Sequence, residues 1–547
     1  MTTLLLSALL AFNGLQTPTY DSLLGQGYDY LNDGKFAEAA DSFKAALKIY
    51  DQDGQIWAVY GQAASKANRP QETIEAANKV LELGAFGANV KGVAYFEMSA
   101  AYIALKDNEK AWIALNNAMK AGFRSLDTIR TDKRLEPLHS NKGWEELAAT
   151  KDVSKMSRTE GWRYDLWLMN RELRRLHKAP YLKQTPEQRD KFVKDLNAKI
   201  PNLTDDQIAA EFYRYVASFG DGHTNIRFPI FKRAKMTLFW FKEGVHIVGI
   251  APEYPDLAGA KITAIQGEKI ESLFKKIGPL ISHENPQGIL AAAPNFMTNP
   301  RILRGIGVPC SEEKIDLTVI TQQGQTKQVS LPLSEDFQQK PDWLGISQDN
   351  VPLTLKERSK AYSFTPMPEL NAVLFSYNSV RNDSEEPLTK FVDRMFNYID
   401  ENHVKNLIID VRWNGGGNTF LSQPIHQKLW QHPEISQSGS NLYVIIGRNT
   451  YSAAQNFTTD IERSCTPIFV GEPTGSSPNF IGESIPWSLP YSKMAGTVSD
   501  LYWQRSWPMD ERIWIAPQLP TPPSFAKFSK GIDPAMAAIE IEIKNQK

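Results

Sequence analysis

The stretch from Leu407 to Glu472 constrains the fold more than any other part of this sequence. Its first apolar run, LII at residues 407–409, ends at Asp410 and is followed by three glycines at 415–417. A short apolar run bounded by glycines is typical of a strand that is buried on both faces. Glycines also let the backbone aim several N–H groups at one point. We therefore expect an inner strand that ends in a turn rich in hydrogen-bond donors.

A second apolar run, Leu442 to Ile446, leads to Ser452 at the start of a predicted helix, Ser452 to Glu462. A serine at a strand-to-helix turn exposes its hydroxyl at the positive end of the helix, beside the next backbone N–H, here that of Ala453. Such a serine can attack a carbonyl and help to hold the oxyanion. Serine is also a common N-cap, so the position alone does not require catalysis. The glycine-rich turn on a neighbouring strand offers a second N–H donor and favours the catalytic interpretation.

An amphipathic segment precedes the first apolar run and connects it to a further strand. That strand starts at Ala372, and the segment from Pro387 to Ile399 repeats its apolar residues on one helical face. A strand, an amphipathic helix and a second strand form a right-handed crossover unit. The unit places Asp410 and the glycines at the carboxyl end of an inner strand, the edge at which open α/β sheets bind ligands.

Three motifs in this region resemble a known family. They are DVRWNGGGN from Asp410, the serine of TYSAAQNF, and VGEPTG from Val470. In order and spacing they resemble the catalytic core of the tail-specific (C-terminal processing) protease family of serine peptidases. GIDPAM, at residues 531–536, resembles the Asp-Pro pattern near the end of that family's chains. The resemblance covers the chain from roughly Arg158 to the C-terminus.

The resemblance implies both a fold and a mechanism. The implied fold is an α/β protease core with crotonase-like βαβ layers. In the implied mechanism, Ser452 attacks a peptide carbonyl and forms an acyl-enzyme that water hydrolyses. The N–H groups of Ala453 and of Gly416 or Gly417 would form the oxyanion hole.

His223 is the second residue that the sequence singles out. It lies in FGDGHT, residues 219–224, where flanking glycines leave a histidine room to approach a nucleophile. An ordinary histidine pKa of about 6.5 suits a general base, although a turn histidine without function is the alternative. DGHT resembles the motif of the histidine-using branch of the family. The lysine-using branch carries its lysine in a segment that corresponds here to TGSSPN, residues 474–479, which contains no lysine. The resemblance therefore implies a Ser452–His223 pair.

A histidine base needs a partner that fixes its tautomer, usually a carboxylate. In the histidine-using branch this acid lies well downstream of the serine, which implies Asp510 or Glu511 in WPMDERIWIAP. A solvated pair of loop residues is the alternative for these two. Asp410 is a less suitable acid, because its place ahead of the glycine turn suits hydrogen bonding within that turn. We expect Arg412 to pair with Asp410 or with a substrate carboxylate, and Asn414 to support the turn.

The chain between Tyr20 and about Gly122 is predicted to be helical and repetitive. Gly27 and Gly61 are 34 residues apart, which is the period of the tetratricopeptide repeat. We therefore predict an all-α tetratricopeptide solenoid over residues 20–125, whose concave face binds a peptide or protein partner. A spacer or a dimer contact is the alternative function of these repeats.

The middle of the chain divides into segments of different character. Residues 126–155 are predicted to form a linker helix, and residues 156–230 the helical N-terminal part of the protease region. Residues 231–340 alternate as strands and resemble a degenerate PDZ-like β subdomain, which can bind a peptide at a sheet edge. An ordinary β-rich subdomain would give the same pattern. A polar linker at 341–360 leads to the catalytic core, residues 361–547.

The N-terminus carries a short apolar run, LLLSALLAF at residues 4–12. The run is too short to span a bilayer and is followed by polar residues, a pattern typical of a secretory signal peptide, although the usual basic segment is missing. We predict that residues 1–17 are a signal peptide and that the protein is periplasmic or secreted. If the run is instead the first helix of the repeat domain, the protein is cytoplasmic. No other run in the sequence is apolar and long enough for a membrane span.

Composition narrows the function classes further. The chain has 547 residues, enough for several domains, and its 61 basic and 62 acidic residues give a net charge of −1. That balance offers no electrostatic attraction for nucleic acid. No His, Cys and carboxylate cluster has metal-ligand spacing, so neither a metal nor another cofactor is expected. Cys310 and Cys465 are too few for a disulfide scaffold and are interpreted as two unrelated thiols, with a single disulfide between them as the alternative.

These observations predict a multidomain serine peptidase that hydrolyses peptide bonds of proteins or peptides through Ser452 and His223. Two other functions remain compatible with the sequence. One is a catalytically silent peptide-binding scaffold, and the other is a non-proteolytic acyl hydrolase that uses the same residues.

Overall fold

A computed structural model of the chain describes residues 18–87, 89–229, 232–335, 352, 355 and 358–546. The predicted signal peptide, residues 1–17, and most of the predicted linker at 341–360 lie outside the described residues. The chain divides into two compact units. One comprises Met1–Lys155 with Arg174–Leu176, and the other comprises Met156–Leu173 with His177–Lys547. The described residues form a helical N-terminal region followed by a sheet-rich core.

The first unit is built from helices that pack in consecutive pairs. Thr19, Asp53 and Asp107 begin three of these helices by accepting a hydrogen bond from an N–H of the first turn. Gly27 lies against the Phe43 ring of the next helix, and a Cβ at this glycine would come within 2.7 Å of the ring. The absence of a side chain at Gly27 therefore allows the first two helices to approach closely. The helices are α1 Tyr20–Asn32, α2 Phe36–Ile49, α3 Gly54–Lys66, α4 Pro70–Leu83, α5 Val90–Ala104, α6 Asn108–Lys120, α7 Leu126–Thr131 and α8 Trp144–Ala148.

The second unit contains both helices and strands. Its helices are α9 Arg158–Leu176, α10 Pro186–Lys199, α11 Asp205–Ala217, α12 Ile270–Ile277, α13 Pro286–Met297, α14 Pro300–Gly305, α15 Leu388–Glu401, α16 Gln423–Gln431, α17 Pro433–Ser436, α18 Ala453–Ser464, α19 Phe525–Phe528 and α20 Pro534–Asn545. Its strands are β1 Asn225–Arg227, β2 Arg233–Ala234, β3 Met236–Phe241, β4 Gly244–Ile250, β5 Lys261–Ile265, β6 Glu268–Lys269, β7 Lys314–Ile320, β8 Thr326–Ser334, β9 Tyr362–Met367, β10 Ala372–Tyr377, β11 Asn406–Asp410, β12 Leu442–Ile446, β13 Ile468–Gly471, β14 Asn479–Gly482, β15 Ile485–Ser488, β16 Ala495–Val498, β17 Leu501–Gln504 and β18 Leu519–Pro520. Within the described part of the chain, no helix is both long and apolar enough to cross a bilayer.

The central sheet of the second unit has six strands in the order β18-β13-β12-β11-β10-β9. The five strands from β18 to β10 run parallel, and β9 pairs antiparallel with β10 at one edge. Helices α15 and α18 connect neighbouring parallel strands, as crossover connections must. The predicted strand from Leu442 to Ile446 is β12, and the predicted amphipathic helix from Pro387 to Ile399 is α15.

The inner parallel strands β10, β11 and β12 are buried on both faces. Leu407 and Ile409 of β11 pack on one face in a cluster with residues of α15, α16 and α18. Ile408, which points the other way along the pleat, packs with Ile539 and Ile543 of α20. The continuous apolar run in the sequence therefore becomes a strand with a hydrophobic layer on each side.

The second unit contains three further sheets. Strands β2, β8, β7, β5, β4 and β3 form an antiparallel sheet in that order, with β6 paired to β5. This sheet is built from residues that the sequence predicts to alternate as strands, among them β4 and β5. A small sheet of β1, β16 and β15 and a pair formed by β14 and β17 lie in the remaining chain. The turn before β1 carries His223, and β14 carries a ring that packs on it.

Candidate active site

Ser452 lies at a strained turn between β12 and α18. Its backbone has φ 56° and ψ −125°, a conformation that residues other than glycine adopt at a cost. Two hydrogen bonds fix the turn to the end of β11: Tyr451 N–H donates to Asn414 O at 3.1 Å, and Thr450 Oγ1 donates to Val411 O at 2.9 Å. A sharp strand-to-helix turn of this kind projects the serine hydroxyl away from the backbone.

The glycine turn packs directly against Ser452. A Cβ on Gly416 would lie 2.7 Å from Ser452 Cβ and 2.9 Å from Ala453 N, so no side chain fits there. Asn414 holds the turn, because its Oδ1 accepts from Gly416 N–H at 2.9 Å and its Nδ2 donates to Tyr377 O at 2.9 Å.

These contacts distinguish Gly416 from Gly417, the two glycines that were expected from the sequence to donate to the oxyanion. The N–H of Gly416 is already bonded to the Asn414 side chain. Among the hydrogen bonds of the described residues, none uses the N–H of Gly417 or of Ala453. Gly417 and Ala453 are therefore the pair available to an oxyanion beside Ser452.

His223 is within hydrogen-bond distance of Ser452. His223 Nε2 lies 2.9 Å from Ser452 Oγ, although the two residues are 229 positions apart in the sequence. Asp221 fixes the histidine turn, because its Oδ1 accepts from His223 N–H at 2.9 Å and from Thr224 N–H at 2.6 Å. The imidazole stacks on the ring of Phe480, with centroids 5.6 Å apart and an angle of 4° between the planes.

Burial makes the His223 imidazole neutral at physiological pH. Desolvation lowers the pKa of His223 to about 4, and the nearby charge of Asp221 opposes this shift only in part. A neutral imidazole has a lone pair on one ring nitrogen and can accept a proton. His223 is therefore in the protonation state that a general base requires.

A buried glutamate lies beside His223. Glu284 Oε1 is 3.9 Å from His223 Nδ1, and Tyr451 Oη is within hydrogen-bond distance of the same nitrogen, at 2.7 Å. Glu284 Oε2 accepts from Ser477 N–H at 3.0 Å. Burial raises the pKa of Glu284 to about 8, and the Ser477 hydrogen bond opposes that shift. The segment TGSSPN, residues 474–479, contains no lysine, and it binds the Glu284 carboxyl group through Ser477 N–H.

The neighbouring Asn285 anchors this glutamate to the core. Its Nδ2 donates to Thr474 O at 3.1 Å and to Ile513 O at 2.7 Å, while its Oδ1 caps the first turn of α13. Asn285 is buried, so these bonds replace contacts with water. They fix the loop that presents Glu284 to His223.

The structure does not bring Asp510 or Glu511 to His223. Asp510 accepts from Ser506 Oγ at 2.6 Å and from Arg512 Nη2 at 2.7 Å, and the guanidinium lowers the pKa of Asp510 to about 2. Glu511 is exposed. The adjacent arginine therefore satisfies the Asp510 carboxylate locally. Among the described carboxyl groups, the one in contact range of His223 Nδ1 is Glu284.

Asp410 and Arg412 form part of a buried ion cluster. Arg412 Nε lies 3.0 Å from Asp410 Oδ1, and Arg412 Nη1 donates to Asp533 Oδ1 at 2.9 Å. Asp533 also caps α20 by accepting from Ala535 N–H at 2.9 Å. Of the two partners expected for Arg412, the structure shows Asp410, and Asp533 of the GIDPAM motif is a second one. The guanidinium is committed to these carboxylates and supports the fold of the turn.

Sequence reasoning missed Glu284, Tyr451 and the supporting Asp221. Asp221 was readable in principle, because an aspartate before a turn often accepts the N–H groups that follow it. Tyr451 precedes Ser452 in TYSAAQNF, but nothing in that motif singles out the tyrosine. Glu284 lies in SHENP, where Asn285 and Pro286 signal the start of a helix and nothing singles out the glutamate. Within the described residues, no three His, Cys, Asp or Glu side chains converge to hold a metal ion.

Comparisons with known proteins agree on the fold. No protein-family model and no curated protein sequence matches the chain. The structure is similar to that of mature CPAF complexed with lactacystin, with 11% identity, a TM-score of 0.51, and coverage of 71% of this chain and 98% of that chain. A crystal structure of mature CPAF gives 11% identity, a TM-score of 0.50 and the same coverage, 71% and 98%. At this identity the likeness shows a shared fold.

A third similar structure is the photosystem II D1 C-terminal processing protease. It has 13% identity and a TM-score of 0.36, with coverage of 68% of this chain and 98% of that chain.

Proposed function

We propose that this protein is a serine peptidase that hydrolyses peptide bonds of proteins or peptides. The observation that carries the proposal is the 2.9 Å contact between Ser452 Oγ, on a strained strand-to-helix turn, and Nε2 of a neutral His223. A serine next to a histidine base and to free backbone N–H donors has the parts that acyl transfer requires. The motifs that resemble the tail-specific proteases support the same chemistry, and the fold shared with CPAF supports the architecture.

The reaction follows from these positions. As Ser452 Oγ bonds to the substrate carbonyl carbon, its proton passes to His223 Nε2, and the carbonyl oxygen becomes an oxyanion. The N–H groups of Gly417 and Ala453 donate to that oxyanion. His223 then returns the proton to the leaving amine as the C–N bond breaks. Water attacks the acyl-enzyme with His223 again acting as base, which releases the acid product and restores Ser452.

Glu284 is the acid partner in this proposal, in place of Asp510 or Glu511. Its carboxyl group is buried next to His223 and is held by Ser477 N–H. In its ionised form, which predominates above its pKa of about 8, the Glu284 carboxylate stabilises the imidazolium that forms when His223 takes the serine proton. Asp410, Arg412 and Asn414 act as structural support for the glycine turn.

The finer assignments rest on the sequence and are proposed with the function. The protein would belong to the histidine-using branch of the tail-specific endopeptidases, with a crotonase-like core and a PDZ-like β subdomain built on β2–β8. Helices α1 to α6 would form tetratricopeptide repeats that bind a peptide or protein partner, an assignment supported by their consecutive pairing and by Gly27 at a close helix contact. A signal peptide at residues 1–17 would direct the protein to the periplasm or outside the cell.

Covalent labelling by a fluorophosphonate probe tests the proposed function. We expect wild-type protein to be labelled and both Ser452→Ala and His223→Ala to lose labelling, because only an activated serine reacts with such a probe. Ser464→Ala, at the far end of α18, is the matched control, because Ser464 Oγ donates to Asp460 O within its own helix and otherwise lies 3.7 Å from Sγ of the adjacent Cys465.

Substrate assays then identify the reaction. Cleavage of peptide libraries by wild type, and its loss in Ser452→Ala, is the expected outcome. Failure of well-folded wild type to react with the probe would contradict the proposal and favour a silent peptide-binding scaffold. Turnover of small esters with no cleavage of any peptide would favour a non-proteolytic acyl hydrolase.

A further inference from the structure

Tyr451 lies closer to the His223 imidazole than any carboxyl group of the described residues does. Tyr451 Oη is 2.7 Å from His223 Nδ1, whereas Glu284 Oε1 is 3.9 Å from that nitrogen and beyond hydrogen-bond distance. The two rings also stack, with centroids 4.6 Å apart. Because Tyr451 precedes Ser452 in the strained turn, one short segment supplies both the proposed nucleophile and the group that contacts the far side of the base.

Glu284 has an unused oxygen on the same side. Its Oε2 accepts from Ser477 N–H, and its buried Oε1 has no hydrogen bond of regular geometry, although the hydroxyls of Ser476 and Tyr451 lie near enough to lower the Glu284 pKa. A buried acceptor without a donor is unfavourable, so a nearby hydroxyl gains by turning toward it. The Tyr451 hydroxyl is near enough for each group to shift the pKa of the other.

The other charged group near His223 has its acceptors occupied. Asp221 accepts from two backbone N–H groups, from Ser499 Oγ at 2.7 Å, and from His177 Nε2 at 2.8 Å. His177 donates from Nε2 because its Nδ1 accepts from Ala179 N–H at 3.1 Å. Asp221 therefore orients the backbone of the histidine turn, and Nδ1 of His223 faces Tyr451 and Glu284.

We infer that Tyr451 is a positioning residue that connects His223 to Glu284: His223 Nδ1–H donates to Tyr451 Oη, and the Tyr451 hydroxyl donates to Glu284 Oε1. This inference rests on the proposed peptidase function. The direction of the two bonds decides which ring nitrogen carries the proton. If Tyr451 donated to Nδ1 instead, Nε2 would be protonated and could not take the proton of Ser452. An ionised Glu284 draws the tyrosine proton toward itself and thereby keeps Nε2 free.

Two substitutions each break this connection with little change in side-chain shape, one at its middle residue and one at its carboxyl end. Tyr451→Phe deletes only the hydroxyl. Glu284→Gln keeps an acceptor for Ser477 but presents an amide N–H₂ that forces the tyrosine proton back to Nδ1. Tyr443→Phe is the matched control, because Tyr443 is a buried tyrosine of β12 whose hydroxyl accepts from Gln546 Nε2 at 3.0 Å.

The first measurement is the rate of fluorophosphonate labelling of the full-length chain between pH 5 and pH 10. We expect the wild-type rate to rise with pH around the Glu284 pKa of about 8, because ionised Glu284 favours the reactive tautomer. Each substitution should lower the rate at least about 10-fold and remove this rise. The double variant should be no slower than the slower single variant, because both changes break one connection. Tyr443→Phe should match wild type.

The second measurement does not depend on activity. Imidazole ¹⁵N chemical shifts of histidine-labelled protein, with His223 assigned by its loss in His223→Asn, report which nitrogen carries the proton. At pH 9, above the Glu284 pKa of about 8, we expect Nδ1–H in wild type and Nε2–H in Glu284→Gln. Wild-type protein with Nδ1–H but without labelling would overturn the proposed function and leave the inference standing.

Three results would overturn the inference itself. One is a Tyr451→Phe variant with the wild-type rate and pH profile, which would mean that Glu284 acts on His223 directly. Another is a double variant whose loss equals the product of the two single losses, because independent effects multiply. The third is an unchanged His223 tautomer in Glu284→Gln.

Discussion

At the scale of single residues, the three glycines of the turn beside Ser452 differ in how much space surrounds them. Gly417 has φ 143°, and a Cβ there would lie 2.1 Å from Val380 O. Neither the backbone conformation nor the space admits a side chain. Gly415, in the same turn, is different, because a Cβ added to it would meet no atom within 4 Å. The three adjacent glycines are therefore not equivalent.

Gly417→Ala should impair the proposed oxyanion hole. The new methyl group would push the backbone away from Val380, which would displace the Gly417 N–H from the oxyanion position. Loss of one such donor typically slows acyl transfer about 100-fold, so we expect a comparable fall in the fluorophosphonate labelling rate. Gly415→Ala, made in the same turn, should label at nearly the wild-type rate. Equal rates for the two variants would show that Gly417 does not support the oxyanion.

Individual residues also show why the sequence predicts only part of the site. Ser452, His223 and the glycines lie in short motifs whose local geometry suggests their chemistry. Glu284 reaches His223 only through the loop that Asn285 ties to Thr474 and Ile513, and those contacts span 189 and 228 positions. No local pattern encodes such a contact, and the choice of Asp510 or Glu511 followed instead from the family resemblance, in which the acid lies downstream of the serine.

At the scale of elements, the apolar patterns predict the strands of the central sheet better than they predict the shorter strands around it. β11 and β12 are fully buried, and each contains a continuous apolar run, residues 407–409 and 442–446, that local reasoning can assign. β14 and β17 are short strands whose pairing brings Phe480 beside His223, and each is too short and irregular to be predicted. The ion cluster behind the glycine turn was likewise predicted only in part, because Asp533 comes from the last helix.

That cluster predicts a specific stability effect. Arg412 joins the end of β11 to the start of α20 through Asp533, whose side chain is only 8% exposed. Asp533→Ala would leave the buried guanidinium with one carboxylate and remove the helix cap. Breaking a buried ion pair costs about 3 kcal/mol, so we expect the free energy of unfolding of the second unit to fall by about that amount in urea titrations.

A second ion pair on the same helix provides the control. Lys544 and Glu540 are 3.1 Å apart on the exposed face of α20. Because water and salt screen such a pair, Lys544→Ala should leave the unfolding midpoint unchanged. If Asp533→Ala also left the unfolding midpoint unchanged, the ion cluster would contribute nothing to the attachment of α20.

At the scale of the whole molecule, the proposed catalytic parts are confined to one unit. Ser452, His223, Glu284 and Tyr451 all belong to the unit that contains Met156–Leu173 and His177–Lys547. That unit has its own sheet with hydrophobic clusters on both faces. A unit with its own core can in principle fold alone.

A fragment of residues 156–547 should therefore retain the activated serine. We expect it to react with the fluorophosphonate probe within a few-fold of the full-length rate, because every residue proposed to act on the carbonyl is present. The same fragment with Ser452→Ala is the control for specific labelling, and circular dichroism checks that the fragment is folded. A folded fragment that fails to label, beside full-length protein that labels, would contradict this confinement. Cleavage of whole proteins is a separate readout, because partner binding by α1 to α6 would affect protein substrates without changing the reactivity of Ser452 toward a small probe.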